Sequence, residues 1–534
     1  MNSITFDSNG YAGISVFGHK TVSRGNMTVL LKTDETPQSS EEIATETFML
    51  HFPLRCNTAY RLALKGGDFD LVYLDTGENT LHNGIRFLTD VRYDQAYRNQ
   101  CHFSPPVGWM NDPNGLCVYK GYIHLFYQFN PFAQVWGNMH WGHAVSTDLM
   151  HWKHMPVVFF PQRELQDRRD LRGGAFSGSA LVNDDTMHVF FTRHYGAHDR
   201  SWAKERQVKA SSIDGVEFAG EHDVLDDDAG DSRRNFRDPK IFEFNNYYFM
   251  AIGGDRNAVP TVFLYRSKDT EHWEFVSDMY TESDKKYAVA ECPDLFFLNG
   301  KWILIIGFIN SDPVSDIQRD VKYMIGTFDG EKFIPESSGL LDYGKDFYAA
   351  QTFLYRSRRI CFGWNSDQLK SYRPQRGSGN GTLSFPRELH VADGTLVQKP
   401  AEELYSLETE GDALPVRVPF LVKMESDGQR EFVIDLVSSP EGNLSLVYRN
   451  GELSVTVAGI IKCTKPIAHL KDMEIIVDAS LVELFVSGGS AVMSVRYYLE
   501  GDQTAMPGME TSQIKEFIKL YRLNGIWENH DERK

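Results

Sequence analysis

An all-β chain organised around a five-bladed β-propeller is the fold this sequence predicts. Two repeats carry the prediction. In the first, a polar turn leads into a run of aromatic and aliphatic residues: Gly121 to Tyr127, Thr186 to Phe191, Tyr247 to Ile252, Lys301 to Ile306 and, more weakly, Arg359 to Trp364. The copies recur at roughly 55–65 residues, room for several strands each. In the second, a Ser-x-Asp or Thr-x-Asp turn precedes an aromatic residue: Asp148 with Trp152, Asp214 with Phe218, Asp269 with Trp273, and Asp329 with Phe333. An aspartate in such a turn bonds its own backbone while the aromatic anchors the next strand, so these aspartates read as structural.

Taken in chain order, residues 1–95 come first, with strand-like runs such as Met27 to Leu31 and Asp70 to Leu74 between polar turns. They read as a small β-rich accessory domain with a structural or oligomerising role ahead of carbohydrate binding; a homo-oligomer would form through this domain or the C-terminal one. Residues 96–395 hold the repeats and hence the propeller. Residues 405–534 return to short alternating strands, among them Glu474 to Asp478 and Leu481 to Val486.

Composition narrows the function. The formal net charge of -18 argues against nucleic acid or an anionic membrane as partner, and says little about a neutral substrate. Aromatic residues make up 13%, which suits both strand cores and sugar-stacking surfaces. Six cysteines lack metal or redox spacing and read as reduced thiols. The segment from Met1 to Asp7 resembles no leader, and no run is apolar enough to span a membrane, so a cytoplasmic enzyme is expected.

Three segments carry the chemistry: Trp109-Met110-Asn111-Asp112-Pro113-Asn114-Gly115, Phe236-Arg237-Asp238-Pro239-Lys240 and Glu291-Cys292-Pro293-Asp294. Each sets a carboxylate near a proline just ahead of a repeated apolar strand. Aligned by the repeat they occupy blades one, three and four at one phase, so Asp112, Asp238 and Glu291 are expected to face a common axis. Like charges so close cannot all ionise freely, and at least one pKa should rise, as a general acid requires. Paired carboxylates astride one bond are the usual means of glycoside hydrolysis. His140 and His143 have the look of a metal pair but lie in a β context, which favours core packing.

The segments closely resemble glycoside hydrolase family 32, the β-fructofuranosidases, over about residues 97–530. Further matching stretches are Tyr127-Gln128-Phe129-Asn130-Pro131, Trp136 to His143, Asp346 to Gln351, and Phe385-Pro386-Arg387-Glu388-Leu389. The resemblance implies a five-bladed propeller followed by a C-terminal β-sandwich. It implies a retaining hydrolase of sucrose, sucrose 6-phosphate or short fructo-oligosaccharides, with no metal or cofactor. Asp112 would be the nucleophile, Glu291 the acid and base, and Asp238 the stabiliser of the transition state. Asn111, Gln128, Ser177 and Arg237 would hydrogen-bond the fructose. Trp109, Trp136 and Phe176 would wall the pocket, with Trp364 from the fifth blade. A transferase using the same intermediate, or a sugar-binding propeller without catalysis, are the other readings, the last disfavoured by the intact carboxylates. Departures from the family pattern at Tyr97 to Phe103, at Asn365 and at Gln375 to Gly379 are expected on the fifth-blade side, where they would bear on the leaving group. A phosphate-specific site would need cations there; Lys370, Arg373 and Arg376 are the candidates, and flexible solvated charges are the favoured reading of them.

Overall fold

The computed structural model describes residues 2–33, 36–168, 170–199, 201–226, 233–311, 319–366, 378–409, 418–426, 428, 431–506 and 518–527. Lys370, Arg373, Gln375 and Arg376 lie outside this range. The chain is nearly all β, with only two short α-helices, Thr80–Asn83 and Glu164–Asp167, among the described residues.

The N-terminal segment forms two four-stranded antiparallel sheets. One is ordered Asn2–Asp7, Ala59–Lys65, Met27–Thr33, Thr36–Ile43, and the other Thr47–Pro53, Gly13–Lys20, Gly67–Asp75, Arg86–Phe87. Strand alternation explains how they sit. Ile14, Val16, Val72 and Leu74 point inward and pack on Val29, Leu31, Leu62 and Leu64 of the facing sheet. Phe17, Leu71 and Tyr73 point the other way and join the core that contains Tyr127, Phe129 and Val157. The second sheet's two central strands are therefore buried on both faces, and this segment is seated on the rest of the chain.

Five antiparallel sheets follow, each a meander whose strands pair in sequence order or nearly so. Their first strands are Gly108–Tyr119, Leu171–Asn183, Arg233–Phe244, Tyr287–Leu298 and Phe347–Tyr355. Each first strand lies against that of the next sheet, and the fifth lies against the first. Gly379–Asn380, downstream of the fifth sheet's second strand, pairs in parallel with Gly108–Trp109 and ties the end of the series to its beginning. The repeated apolar runs are the second strands: Tyr122–Asn130, Thr186–Ala197, Tyr247–Arg256, Lys301–Asn310 and Arg358–Asn365. The repeated aspartates turn out as read: Asp148, Asp214, Asp269 and Asp329 each accept two backbone N–H groups from the residues two and three ahead.

One irregularity recurs in all five sheets. The first strand spends two residues where the second spends one: Asn111–Asp112 against Gln128, Phe176–Ser177 against Thr192, Asp238–Pro239 against Ile252, Cys292–Pro293 against Ile306, and Ala349–Ala350 against Gly363. Asp238, Cys292 and Ala349 take φ of 64°, 48° and 50° there. Pro239 and Pro293 follow at a position whose N–H has no place in the ladder, which is where a strand tolerates proline.

The last two sheets face each other over one core. The inner sheet is ordered Glu408–Thr409, Ile518–Leu523, Phe420–Glu425, Asp472–Val477, Leu481–Val486, Ala491–Arg496, and the outer Ile460–Pro466, Glu452–Val457, Gly442–Arg449, Phe432–Ser439, Thr504–Ala505. Val422, Ile475, Leu484 and Val495 meet Ile434, Leu446 and Val455 between them. The far face of the inner sheet buries Leu421, Ile476, Phe485 and Val492 in the central core. It also buries charge: His102 bridges Asp478 at 2.8 Å and Glu483 at 3.0 Å, while Arg387 pairs with Asp342 and Glu483. The departure at Tyr97 to Phe103 lies where this seam meets the fifth-sheet side: Gln100 and Cys101 donate backbone N–H groups to Asp478, Asn99 accepts from the Ser480 N–H, and the Phe103 carbonyl accepts from the Leu383 N–H, beside the fifth sheet's second strand. Asn365 is also partly committed to the seam, since its carbonyl accepts from Arg496 at 3.1 Å.

Candidate active site

The bulges bring the three carboxyl groups together. Asp112, second residue of the first bulge, receives Ser177 Oγ at 2.6 Å from the second sheet and its neighbour Asn111 Nδ2 at 3.1 Å. Asp238, first residue of the third bulge, is 4% exposed and receives the Cys292 N–H at 3.1 Å. The Cys292 thiol stands between the two, 3.6 Å from Asp112 Oδ2 and 3.5 Å from Asp238 Oδ2. Glu291 precedes that cysteine. The ladder registers correct one detail of the sequence alignment. Glu291 shares its place with Arg237 and Tyr348, just before the bulge, so the three carboxylates occupy successive positions and not one equivalent position.

Glu291 is held at both oxygens. Arg237 donates to Oε1 from Nε at 3.0 Å and Nη2 at 2.8 Å, and Tyr348 donates its hydroxyl to Oε2 at 2.7 Å. Arg237 also gives Nη1 to Glu205 at 3.0 Å, and Glu205 in turn meets His194 at 3.0 Å. The Arg319 guanidinium lies 4.9 Å from the centre of the Tyr348 ring.

The remaining expected residues surround this group. Trp109 donates its indole N–H to Asn111 at 2.9 Å and meets Trp364 edge-on at 5.6 Å. Trp364 is 6% exposed, so most of that ring is packing. Trp136, 38% exposed, stands edge-on to Phe176 at 6.2 Å, and Phe176 stacks flat on His194 at 4.2 Å. Gln128 faces the first bulge but commits its amide nitrogen to the Ala175 carbonyl at 2.9 Å, tying the first sheet to the second. His140 and His143 are buried apart: His140 packs with Phe17 and Phe160, and His143 with Phe126 and His124. Among the described residues one cluster could offer three metal ligands, Cys101, His102 and Asp478, and its carboxylate is already filled by backbone and side-chain donors of the seam.

Burial pushes Asp238 up to about 8, the Glu291 charge adds to this, and Arg237 pulls the other way. Burial raises Asp112 as well, against the hydrogen bonds of Ser177 and Asn111. For Glu291 burial is outweighed by the charges of Arg237 and Arg319 and by the Tyr348 hydroxyl, so its carboxyl is held below the usual range. Burial and the flanking carboxylates keep the Cys292 thiol protonated. Proton and charge are thus separated within one cluster, the proton favoured on Asp238 and the charge on Glu291.

Glu205, His194, Arg319 and Tyr348 were not among the expected residues. Tyr348 lies in the stretch Asp346 to Gln351, so its place in the repeat was available. Glu205 and Arg319 lie on third strands, Ala203–Ser212 and Arg319–Phe328, and the two repeats mark turns and second strands only.

Three closely set carboxyl groups, one buried and two half-buried, with two guanidinium groups and a tryptophan-lined rim suit an enzyme that cleaves glycosidic bonds. The comparisons agree. The family model "Glycosyl hydrolases family 32 N-terminal domain" matches residues 102–400. A sucrose-6-phosphate hydrolase of Zymomonas mobilis is 32% identical over 72% of this chain and 83% of its own length, and a raffinose invertase of Escherichia coli is 32% identical over 75% and 89%. A family 32 glycoside hydrolase of Bifidobacterium adolescentis superposes with a TM-score of 0.88 at 25% identity, covering 99% of this chain and 100% of that one. A mutant of the Bombyx mori β-fructofuranosidase solved in complex with sucrose superposes with a TM-score of 0.69 at 29% identity, covering 81% of this chain and 95% of that one. The chain belongs to glycosyl hydrolase family 32 and is a glycoside hydrolase.

Proposed function

We propose that this protein is a retaining β-fructofuranosidase that releases the terminal fructose of sucrose, sucrose 6-phosphate or short fructo-oligosaccharides. The observation that carries the reading is the meeting of Asp112, Asp238 and Glu291 around Cys292 and Arg237. Asp112 Oδ attacks the anomeric carbon of the fructosyl unit as Glu291 gives a proton to the departing oxygen, which leaves a covalent fructosyl-enzyme. Glu291 then takes a proton from water as that water displaces Asp112. Arg237 caps Glu291 Oε1 with two N–H groups, so Oε2, beside Tyr348, is the oxygen that carries the transferable proton. Fructose hydroxyls donating to Asp238 favour its carboxylate form, which moves the cluster's proton toward Glu291 as substrate binds. Ser177 and Asn111 hold Asp112 in line; Trp109, Trp136 and Phe176 wall the fructose, with Trp364 behind Trp109.

In this reading the five sheets are the blades of one propeller spanning residues 96–395, preceded by an accessory β domain at 1–95 and followed by a β-sandwich at 405–534. The cysteines are unpaired, which suits a reducing, cytoplasmic setting. No helix among the described residues is long and apolar enough to cross a membrane.

Replacing Glu291 with Ala should abolish fructose release from sucrose while the circular dichroism and melting temperature stay near those of the parent. Unchanged turnover would sink the assignment. Measuring kcat/KM on sucrose, sucrose 6-phosphate and a short inulin-type oligosaccharide then ranks the substrates.

A further inference from the structure

Arg237 is shared. Its Nε and Nη2 point to Glu291, and its Nη1 points to Glu205, whose carboxylate is 4% exposed at the side chain. Glu205 is on the second sheet, Arg237 on the third and Glu291 on the fourth, so the guanidinium spans three sheets at once. A buried guanidinium facing a single carboxylate would hold it firmly ionised, the wrong state for a group that must donate a proton. A second carboxylate on the same guanidinium weakens that hold and adds its own negative charge to the neighbourhood.

Resting on the assignment of Glu291 as acid and base, we propose that Glu205 is a positioning residue for the reaction: by taking one arm of Arg237 it sets how readily Glu291 accepts a proton. Glu205 is itself fixed. His194 bonds it at 3.0 Å, and the flat stack of His194 on Phe176 at 4.2 Å keeps that ring in place. Asn235 Oδ1 accepts from the same Nη1 at 3.0 Å and holds the arm toward Glu205. The connection therefore runs unbroken from the pocket wall to the acid: Trp136, Phe176, His194, Glu205, Arg237, Glu291.

The groups facing Glu291 fix the sign of the effect. Arg237 and Arg319 favour its charge, as does the Tyr348 hydroxyl, while Asp238 and Asp112 oppose it and Cys292 remains a neutral thiol. Glu205 is ionised at every working pH, since burial is outweighed by the Arg237 charge and by His194 and it is pulled down to about 2. Neutralising it removes one buried negative charge and leaves more of the guanidinium's positive charge to act on Glu291. The proton is then lost at lower pH. The limb that moves belongs to the cluster, because Asp112, Asp238 and Glu291 titrate together.

The test is the pH dependence of kcat/KM for sucrose. Glu205→Gln keeps an acceptor for Nη1 and removes the charge; its alkaline limb should fall by about one pH unit, so that above the limb it loses about tenfold more activity than the parent. Glu205→Asp keeps the charge but draws it back from Arg237, and should give a smaller downward step. It also serves if the glutamine variant does not fold. An even loss of activity across pH with no movement of the limb, in whichever variant folds, would show a merely structural role and overturn the proposal. Glu291→Ala, run alongside, addresses the underlying assignment separately. Its loss should be large on sucrose and small on an aryl β-fructoside whose leaving group needs no proton, and equal losses on both would remove Glu291 as the acid whatever Glu205 does.

Discussion

Tyr348 reaches from the fifth sheet to the fourth and donates its hydroxyl to Oε2 of Glu291 across 2.7 Å. That bond stabilises the carboxylate and so opposes protonation of the oxygen that, in the proposed mechanism, carries the transferable proton. Tyr348→Phe removes it. The Glu291 pKa should rise, and the alkaline limb of kcat/KM for sucrose should move up by about one unit, since a hydrogen bond to a charged group is worth about 1.5–3 kcal/mol. The direction is opposite to that expected for Glu205→Gln, which makes the pair a sharper test than either alone. A limb that moves down, or not at all, would separate Tyr348 from the acid.

The Tyr348 ring has its own seat. A Cβ added at Gly307 would fall 3.0 Å from both the ring Cζ and the hydroxyl. Gly307 pairs with Glu291 in the ladder, so the ring lies over the strand next to its acceptor. In Gly307→Ala the ring must shift by a few tenths of an ångström, enough to spoil a 2.7 Å contact. The expected result is a loss in kcat/KM of about tenfold with the upward limb shift of Tyr348→Phe, and little further effect when the two changes are combined. Additive losses in the double variant would place the glycine's role elsewhere.

Much of this was legible from residues alone, for a physical reason. Ser-x-Asp turns and apolar second strands are local, so Asp148 or Tyr247 announces its structure within a few neighbours. The carboxylates were legible because Pro239 and Pro293 mark a bulge that interrupts an otherwise apolar strand. The register was not. A bulge adds one residue without changing the pattern of residue types, so the alignment put Asp112, Asp238 and Glu291 at one phase where the ladders put them at successive positions. Glu205 and Arg319 were invisible because a charged residue on a third strand has no local signature; only the meeting of three sheets gives Glu205 its partner. The segment from Tyr97 to Phe103 was only half legible for a similar reason: its acceptor Asp478 and Asn99's partner Ser480 lie far along the chain.

The seam between the central sheets and the last two should fail first when its charges are unbalanced. His102 is fully buried between Asp478 and Glu483, and its pKa stands at about 9: burial alone would lower it, but the two carboxylates outweigh that. Its contribution to stability is therefore complete below its unfolded value of 6.5 and fades as pH rises through about 9. Glu483 shows the reverse. Burial is outweighed by Arg387 and His102, its pKa falls to about 2, and its contribution is complete above 4.5 and fades as pH falls through about 2. The two shifts share the His102–Glu483 contact, so they are not summed; they bound one window, widest between 4.5 and 6.5. His102→Ala leaves two buried carboxylates short of a partner and should cost about 3–5 kcal/mol in that window. Denaturant midpoints of parent and variant, compared at about pH 5.5 and about pH 9.5, should lie far apart at the first and draw together at the second. A gap that stays constant would mean that His102 supports the seam by shape and not by charge.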